Sequence, residues 1–279
     1  GYILQSAART NPPGVSRPAL ARAVHAAMVE AHARMYDALK AADTADADGD
    51  GSPAQVGTVL NVLATAPKDP ASALDREAAD NVYYLWNTAF LDGVALGQYD
   101  ATLSGAPEAR PDLAGRLDYL GINYYGRALI SGAPGSILPD LSPKATFVNF
   151  ETEAVYPAGL QEVVERCWEG YKKPISLTEH GAEVKPTDAP ASVESFLVQN
   201  LGYLRRAMKN GVDVRGYYYW SLMDNFEWNH GMNMRFGLYA VEPDDKTRAR
   251  TARPGAAVYA RIAKANAIPD DLAAKYPLP

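Results

Sequence analysis

Cysteine is almost absent: Cys167 is the only one in 279 residues, so no disulfide can form within the chain and the redox compartment stays open. Clustered positive charge is also missing. Lysine and arginine number 27 against 33 acidic residues, a net charge of −6, with no basic run. Nucleic acid and anionic membrane both need a basic face, so neither is expected as the main partner. Long apolar runs are absent too. The longest uncharged stretch, Gly51 to Pro67, is broken by Pro53, Gln55, Gly57 and Asn61, and it falls short of the roughly 20 apolar residues a spanning helix needs. Gly1 to Gln5 carry no initiator Met, basic flank or apolar stretch of signal-peptide length, and read like sequence from mid-protein.

What remains is ordinary globular composition, 47% hydrophobic and 22% charged, which excludes a disordered or fibrous chain. The length suits one large core over residues 1–279 and matches the usual size of a (β/α)8 barrel. From Ser16, a possible N-cap, Leu20, Val24, Met28, Ala31, Met35 and Leu39 recur at helical spacing, so they predict an amphipathic helix with that stripe toward a core. Strands are expected over 56–63, 119–125, 174–179 and 214–222, and helices over 75–94, 160–168, 192–210 and 256–266, with Gly211 past the third of these helix ends. Strands alternating with helices imply a parallel sheet. In such folds chemistry sits at the C-terminal ends of strands.

Three of these strand ends carry suitable side chains. Leu177-Thr178-Glu179-His180-Gly181 places a carboxylate at the mouth of an apolar strand. Spacing alone leaves it open between a catalytic acid and a salt-bridged or capping one. Asn123 and Tyr125 share a strand face by alternation, either to orient a carboxylate or as structural hydrogen bonders. Trp220-Ser221-Leu222-Met223-Asp224-Asn225-Phe226-Glu227-Trp228, with Arg235-Phe236-Gly237-Leu238 shortly after, puts indoles beside a carboxylate and an amide. That mixture suits a sugar, whose C–H faces stack on rings while its hydroxyls need polar partners; an aromatic core cluster with one satisfied acid is the competing reading.

These segments resemble glycoside hydrolase family one, the β-glucosidase family of (β/α)8 barrels. Residues 177–181 are similar to its T-E-N-G segment, 220–228 to W-S-L-L-D-N-F-E-W and 235–238 to R-F-G-L; Tyr156-Pro157-Ala158-Gly159-Leu160 and Gly121-Ile122-Asn123-Tyr124-Tyr125 fit two more. The resemblance implies that Glu179 is the nucleophile of a retaining mechanism and that Tyr125 hydrogen-bonds it, with Asn123 alongside. It implies that Glu227 and Trp228 meet the outer hydroxyls of the sugar, that Trp220 forms a stacking floor and that Phe236 lines the wall. Members acting on 6-phosphorylated sugars generally lack a glutamate at the position of Glu227, so an unphosphorylated β-glycoside is implied. A non-catalytic sugar-binding or interaction protein derived from the family is the alternative.

Two departures stand out. His180 replaces the family's usual Asn; a side chain pointing away from the site would leave catalysis intact. The family's acid/base glutamate belongs to an N-E-P segment ending the fourth barrel strand, and this sequence contains none, while Gly1-Tyr2 and Pro12-Pro13-Gly14 resemble the stretch just C-terminal to N-E-P in the family. The resemblance therefore implies an α/β chain supplying strands five to eight of a (β/α)8 TIM barrel. An N-terminal half of the same barrel is then the expected partner. Asp46, Asp48 and Asp50 with Gly51 fit the start of a calcium loop, but position twelve is Gly57 rather than Glu. A solvated acidic loop is the favoured reading, with no metal or cofactor expected. His25 and His32 read as surface or core residues, and Cys167 as a small buried hydrophobe.

Overall fold

In the computed structural model the described residues are 18–49, 51–135, 145–183 and 192–279. Ser16, Asp50 and the Gly1-Tyr2 and Pro12-Pro13-Gly14 segments lie outside them. Helix α1 (Pro18–Ala42) leads to β1 (Thr58–Asn61) and β2 (Ala64–Pro67). Helix α2 (Ala73–Tyr83) runs on through π turns at Tyr84–Thr88 and Asp92–Leu96 into the short pair β3 (Gln98–Tyr99) and β4 (Glu108–Ala109). Next come β5 (Leu120–Tyr124), β6 (Arg127–Pro134), β7 (Ala145–Glu153), α3 (Pro157–Tyr171), β8 (Ile175–His180), α4 (Val193–Lys209) and β9 (Val214–Tyr219). The chain closes with β10 (Tyr239–Val241), β11 (Arg250–Ala252), α5 (Pro254–Ala265) and α6 (Asp270–Lys275). Local chemistry sets several of these boundaries. The Ser72 and Ser192 side chains accept from the Asp75 and Ser195 amides at the starts of α2 and α4, and Pro157 and Pro254 open α3 and α5. Gly211, at φ +96°, takes the left-handed conformation just past α4.

The expected strands form one four-stranded parallel sheet in the order β1-β5-β8-β9. One face is covered: Leu120, Ile122, Ile175 and Leu177 pack with Leu160, Val163, Val164 and Cys167 of α3 and Leu204 and Ala207 of α4. Cys167 is buried, and burial pushes its thiol up to about 12. On the opposite face a Cβ at Gly121 would meet the side chains of Val59 and Thr178, and one at Gly216 those of Tyr218 and Ser176, so these residues share that side. This face is bare at its two edge strands, where Val59 is 48% and Tyr218 61% exposed. Among the described residues, β1 and β9 have no strand partner on their outer edges.

A second sheet, β2-β6-β7, was not expected. It continues past the ends of β1 and β5, with β6 and β7 antiparallel, and packs Ala128 and Ile130 against Ala78, Ala79 and Val82 of α2. The bend between β1 and β2 has a specific fastener: the buried Asn87 amide pairs with both the N–H and the C=O of Leu63. A correction concerns α1. The stripe expected to face a core is largely exposed, Met35 to 63%, whereas His25, Val29 and Ala33 are buried. Val29 sits against Gly93, where only a small neighbour fits, and His32 Nε2 pairs with the Arg116 carbonyl at 2.7 Å. The helix is thus pinned by its short and polar face. Both histidines serve packing, and burial lowers the pKa of His25. Among the described residues no helix is long and apolar enough to cross a membrane.

Candidate active site

The C-terminal ends of β5, β8 and β9 converge on the open face of the sheet. Glu179, next to last in β8, accepts a hydrogen bond on Oε2 from the Tyr125 hydroxyl at 2.8 Å. Burial, then that bond, then the charges of Glu179 and Glu227 raise the Tyr125 pKa well above its ordinary value. Tyr125 is therefore a fixed donor, and both carboxylates lie close enough to act on it. The Tyr125 ring meets Phe236 edge to face, with centroids 6.3 Å apart. Asn123 reaches the same place through β5, its Oδ1 accepting from the Thr178 hydroxyl at 2.7 Å. Five expected residues, Glu179, Tyr125, Asn123, Phe236 and Glu227, thus gather around one spot.

The two tryptophans sit on the segment after β9. The Trp220 backbone N–H donates to the His180 carbonyl at 3.0 Å, and a Cβ at residue 181 would collide with the Trp220 carbonyl. Gly181 is thus required by a close backbone approach. Trp228 is 79% exposed and Phe226 74%, so they form an outer rim, while Trp220, the expected floor, is half-buried. The 3-10 turn Trp228–His230 and the Glu227 N–H bond to the Gly231 carbonyl, 2.7 Å, hold this rim.

Two residues that sequence reasoning missed support the rim. The side chain of Asp224 is fully buried and takes Arg253 in a bidentate pair, at 2.8 and 2.7 Å, together with the backbone N–H groups of Gly237 and Val241. Burial works to raise its carboxyl, but Arg253 and the two amides outweigh this and hold the pKa below the ordinary value. The pair ties the 220–228 segment to the strand-and-loop stretch that carries Phe236. Thr178 was also missed. It stands in the T-E-N-G match, where no separate role was read for it.

In the acidic loop, Asp50 lies outside the described residues. Asp46 accepts from the N–H groups of Gly49 and Gly51 at 2.9 and 3.0 Å, and among the described residues no three metal-ligating side chains gather.

The family model for Glycosyl hydrolase family 1 matches residues 4–268. The chain belongs to glycosyl hydrolase family 1. Within this family it is 33% identical over 256 residues to a β-galactosidase of Sulfolobus acidocaldarius, covering 88% of this chain and 48% of that one. It is 33% identical over 230 residues to a β-glucosidase of Agrobacterium sp., covering 75% and 49%. Among solved structures, a β-glycosidase from Pyrococcus horikoshii superposes with a TM-score of 0.81 at 30% identity, over 100% of this chain and 62% of that one. The α/β fold is accordingly that of the family's TIM barrels. The chain spans about half the length of the curated relatives it matches.

Proposed function

We propose that this chain is the nucleophile-bearing part of a retaining β-glycosidase acting on unphosphorylated β-glycosides. The observation that carries the reading is the Tyr125–Glu179 bond at the mouth of the sheet, a carboxylate held by a phenol that stays protonated, beside Glu227 and an aromatic rim. In this mechanism Glu179 attacks the anomeric carbon as the glycosidic C–O bond breaks, and the leaving oxygen takes a proton from a second carboxyl about 5 to 5.5 Å from the first. Water then releases the sugar with that second group as base. The second carboxyl comes from the N-E-P segment of an N-terminal half of the same barrel. That half also closes the sheet at β1 and β9, and Glu227 with Trp228 holds the outer hydroxyls of the sugar.

A 2-deoxy-2-fluoro β-glucoside with a dinitrophenolate leaving group tests this. Departure of that group needs no proton, and the fluorine slows hydrolysis of the covalent intermediate. With the chain and the polypeptide encoded upstream of it combined, we expect one fluorosugar attached, mapped by peptide mass spectrometry to Glu179. Glu179→Gln should abolish both labelling and turnover. A label on another residue, or full turnover by Glu179→Gln, would overturn the assignment. Saturable sugar binding without any label would favour a non-catalytic sugar-binding protein.

A further inference from the structure

Side chains of a regular strand alternate between faces. In β8, Ile175 and Leu177 point into the helix-covered core, so strict alternation would send Glu179 there too and His180 onto the open face. The burial pattern is instead buried, partial, buried, partial, partial, buried along Ile175 to His180. The register shows where the phase slips. Ile122 pairs with Leu177 but Asn123 pairs with Glu179, so Thr178 and Glu179 together oppose one residue of β5. This is a bulge, the device by which a strand re-aims a side chain beside a site.

His180 fills the core slot that Glu179 would otherwise occupy, and it is 1% exposed. Its ring stacks on Phe196 of α4 at 4.6 Å between centroids and on Tyr124 of β5 at 5.7 Å, and Nδ1 lies 2.8 Å from the Tyr217 hydroxyl of β9. With Tyr217 donating to Nδ1, the proton sits on Nε2, toward Asn200 of α4. Nε2 and Asn200 Oδ1 make no hydrogen bond of normal geometry, although the Asn200 side chain does act on the imidazole. Burial drives the pKa of the ring down to about 3, so it stays neutral and compatible with its apolar cage. One side chain thus joins β5, β8, β9 and α4 directly behind Glu179.

We infer that His180 is a positioning residue: anchored to Tyr217, Phe196 and Tyr124, it locks the phase slip at Thr178–Glu179 that turns the Glu179 carboxylate onto the open face toward Tyr125. This deepens the proposed function and rests on Glu179 being its nucleophile. The test compares His180→Phe, Tyr217→Phe and His180→Gln in the same combined protein used for labelling. His180→Phe keeps the stack and loses the bond to Tyr217; Tyr217→Phe loses that bond without touching His180; Gln restores an acceptor. For variants whose melting shows them folded, the first-order labelling constant should fall about tenfold or more in both Phe variants, because small displacements of a reacting atom are costly. The inhibitor dissociation constant should move less than about threefold, and the Gln variant should recover most of the labelling rate. Carbodiimide modification of Glu179, read by mass spectrometry, should fall several-fold in the Phe variants. Unchanged labelling and unchanged carbodiimide reactivity in a folded Phe variant would overturn the inference. Absence of fluorosugar labelling in the unsubstituted protein would instead sink the nucleophile assignment, and carbodiimide reactivity would still decide what His180 does. If His180→Phe does not fold, Tyr217→Phe carries the test.

Discussion

At Tyr125, burial and the adjacent Glu179 carboxylate act in the same direction, and both keep the phenol protonated. Its folded pKa lies above the ordinary value of 10, so the associated stability is complete below about pH 10 and is lost as pH rises beyond it. In absorbance titrations near pH 10, the difference between parent and Tyr125→Phe should accordingly be one tyrosinate in unfolded protein and none in folded protein, where Tyr125 is one of several tyrosines that stay protonated. The same substitution removes a hydrogen bond to a charged group, worth about 1.5 to 3 kcal/mol. Labelling of Glu179 by the fluoroglycoside should therefore slow by about ten- to a hundredfold. An unchanged rate would mean that Tyr125 only packs. Sequence reasoning reached this residue because the Asn123-Tyr124-Tyr125 run puts two polar groups at a strand mouth. It could not decide the face of Glu179, since alternation alone sends that carboxylate into the core and the bulge that reverses it leaves no mark in composition.

Among the elements, the segment from Trp220 to Phe236 is fastened by the buried Asp224 carboxylate, paired closely with Arg253 and at 3.9 Å with Arg235. Removing one partner of such a pair typically costs about 3 to 5 kcal/mol, because the other charge stays buried and unpaired. Asp224→Asn should lower the melting temperature at neutral pH by several degrees. The pKa of Asp224 is depressed in the folded state, so its contribution is present above the ordinary carboxylate range and is lost as pH falls through the folded value. The gap between variant and parent should therefore narrow in acid, as melting curves from pH 7 down to about pH 3 would show; a gap constant with pH would mean the pair stabilises nothing by charge. Helices and strands with a clear period were legible, down to the ends of α4 at Ser192 and Gly211. The β6–β7 hairpin was not, because Gly132 and Pro134 interrupt its first strand and its stability comes from packing on α2. The α1 stripe was legible as a pattern, but its orientation was not. Which side of a helix is buried depends on what stands opposite it, and close contact with Gly93 selected the small residues.

For the whole molecule, the bare sheet face, the outer edges of β1 and β9 and the exposed α1 residues Leu20, Met28, Met35 and Leu39 raise one physical problem. Parallel sheets are ordinarily covered on both faces, because their strands are apolar and their edges present unpaired N–H and C=O groups. A four-stranded parallel sheet that, among the described residues, is covered on one side alone should seek other strands. Expressed by itself, the chain should therefore self-associate in a concentration-dependent way, measurable by light scattering after size-exclusion chromatography. Val59→Lys on the β1 edge and Met35→Lys on α1 should reduce that association, since a charge on a strand edge or an apolar stripe opposes pairing without altering the covered core. Adding the upstream polypeptide should convert the associated material to a one-to-one complex, and the same lysine substitutions should weaken it. The two effects share one cause, so they must move together. A lone chain that stays monodisperse and monomeric at high concentration, with both lysine variants indistinguishable from it, would show that the open face is stable in water and would remove the physical reason for expecting a second half.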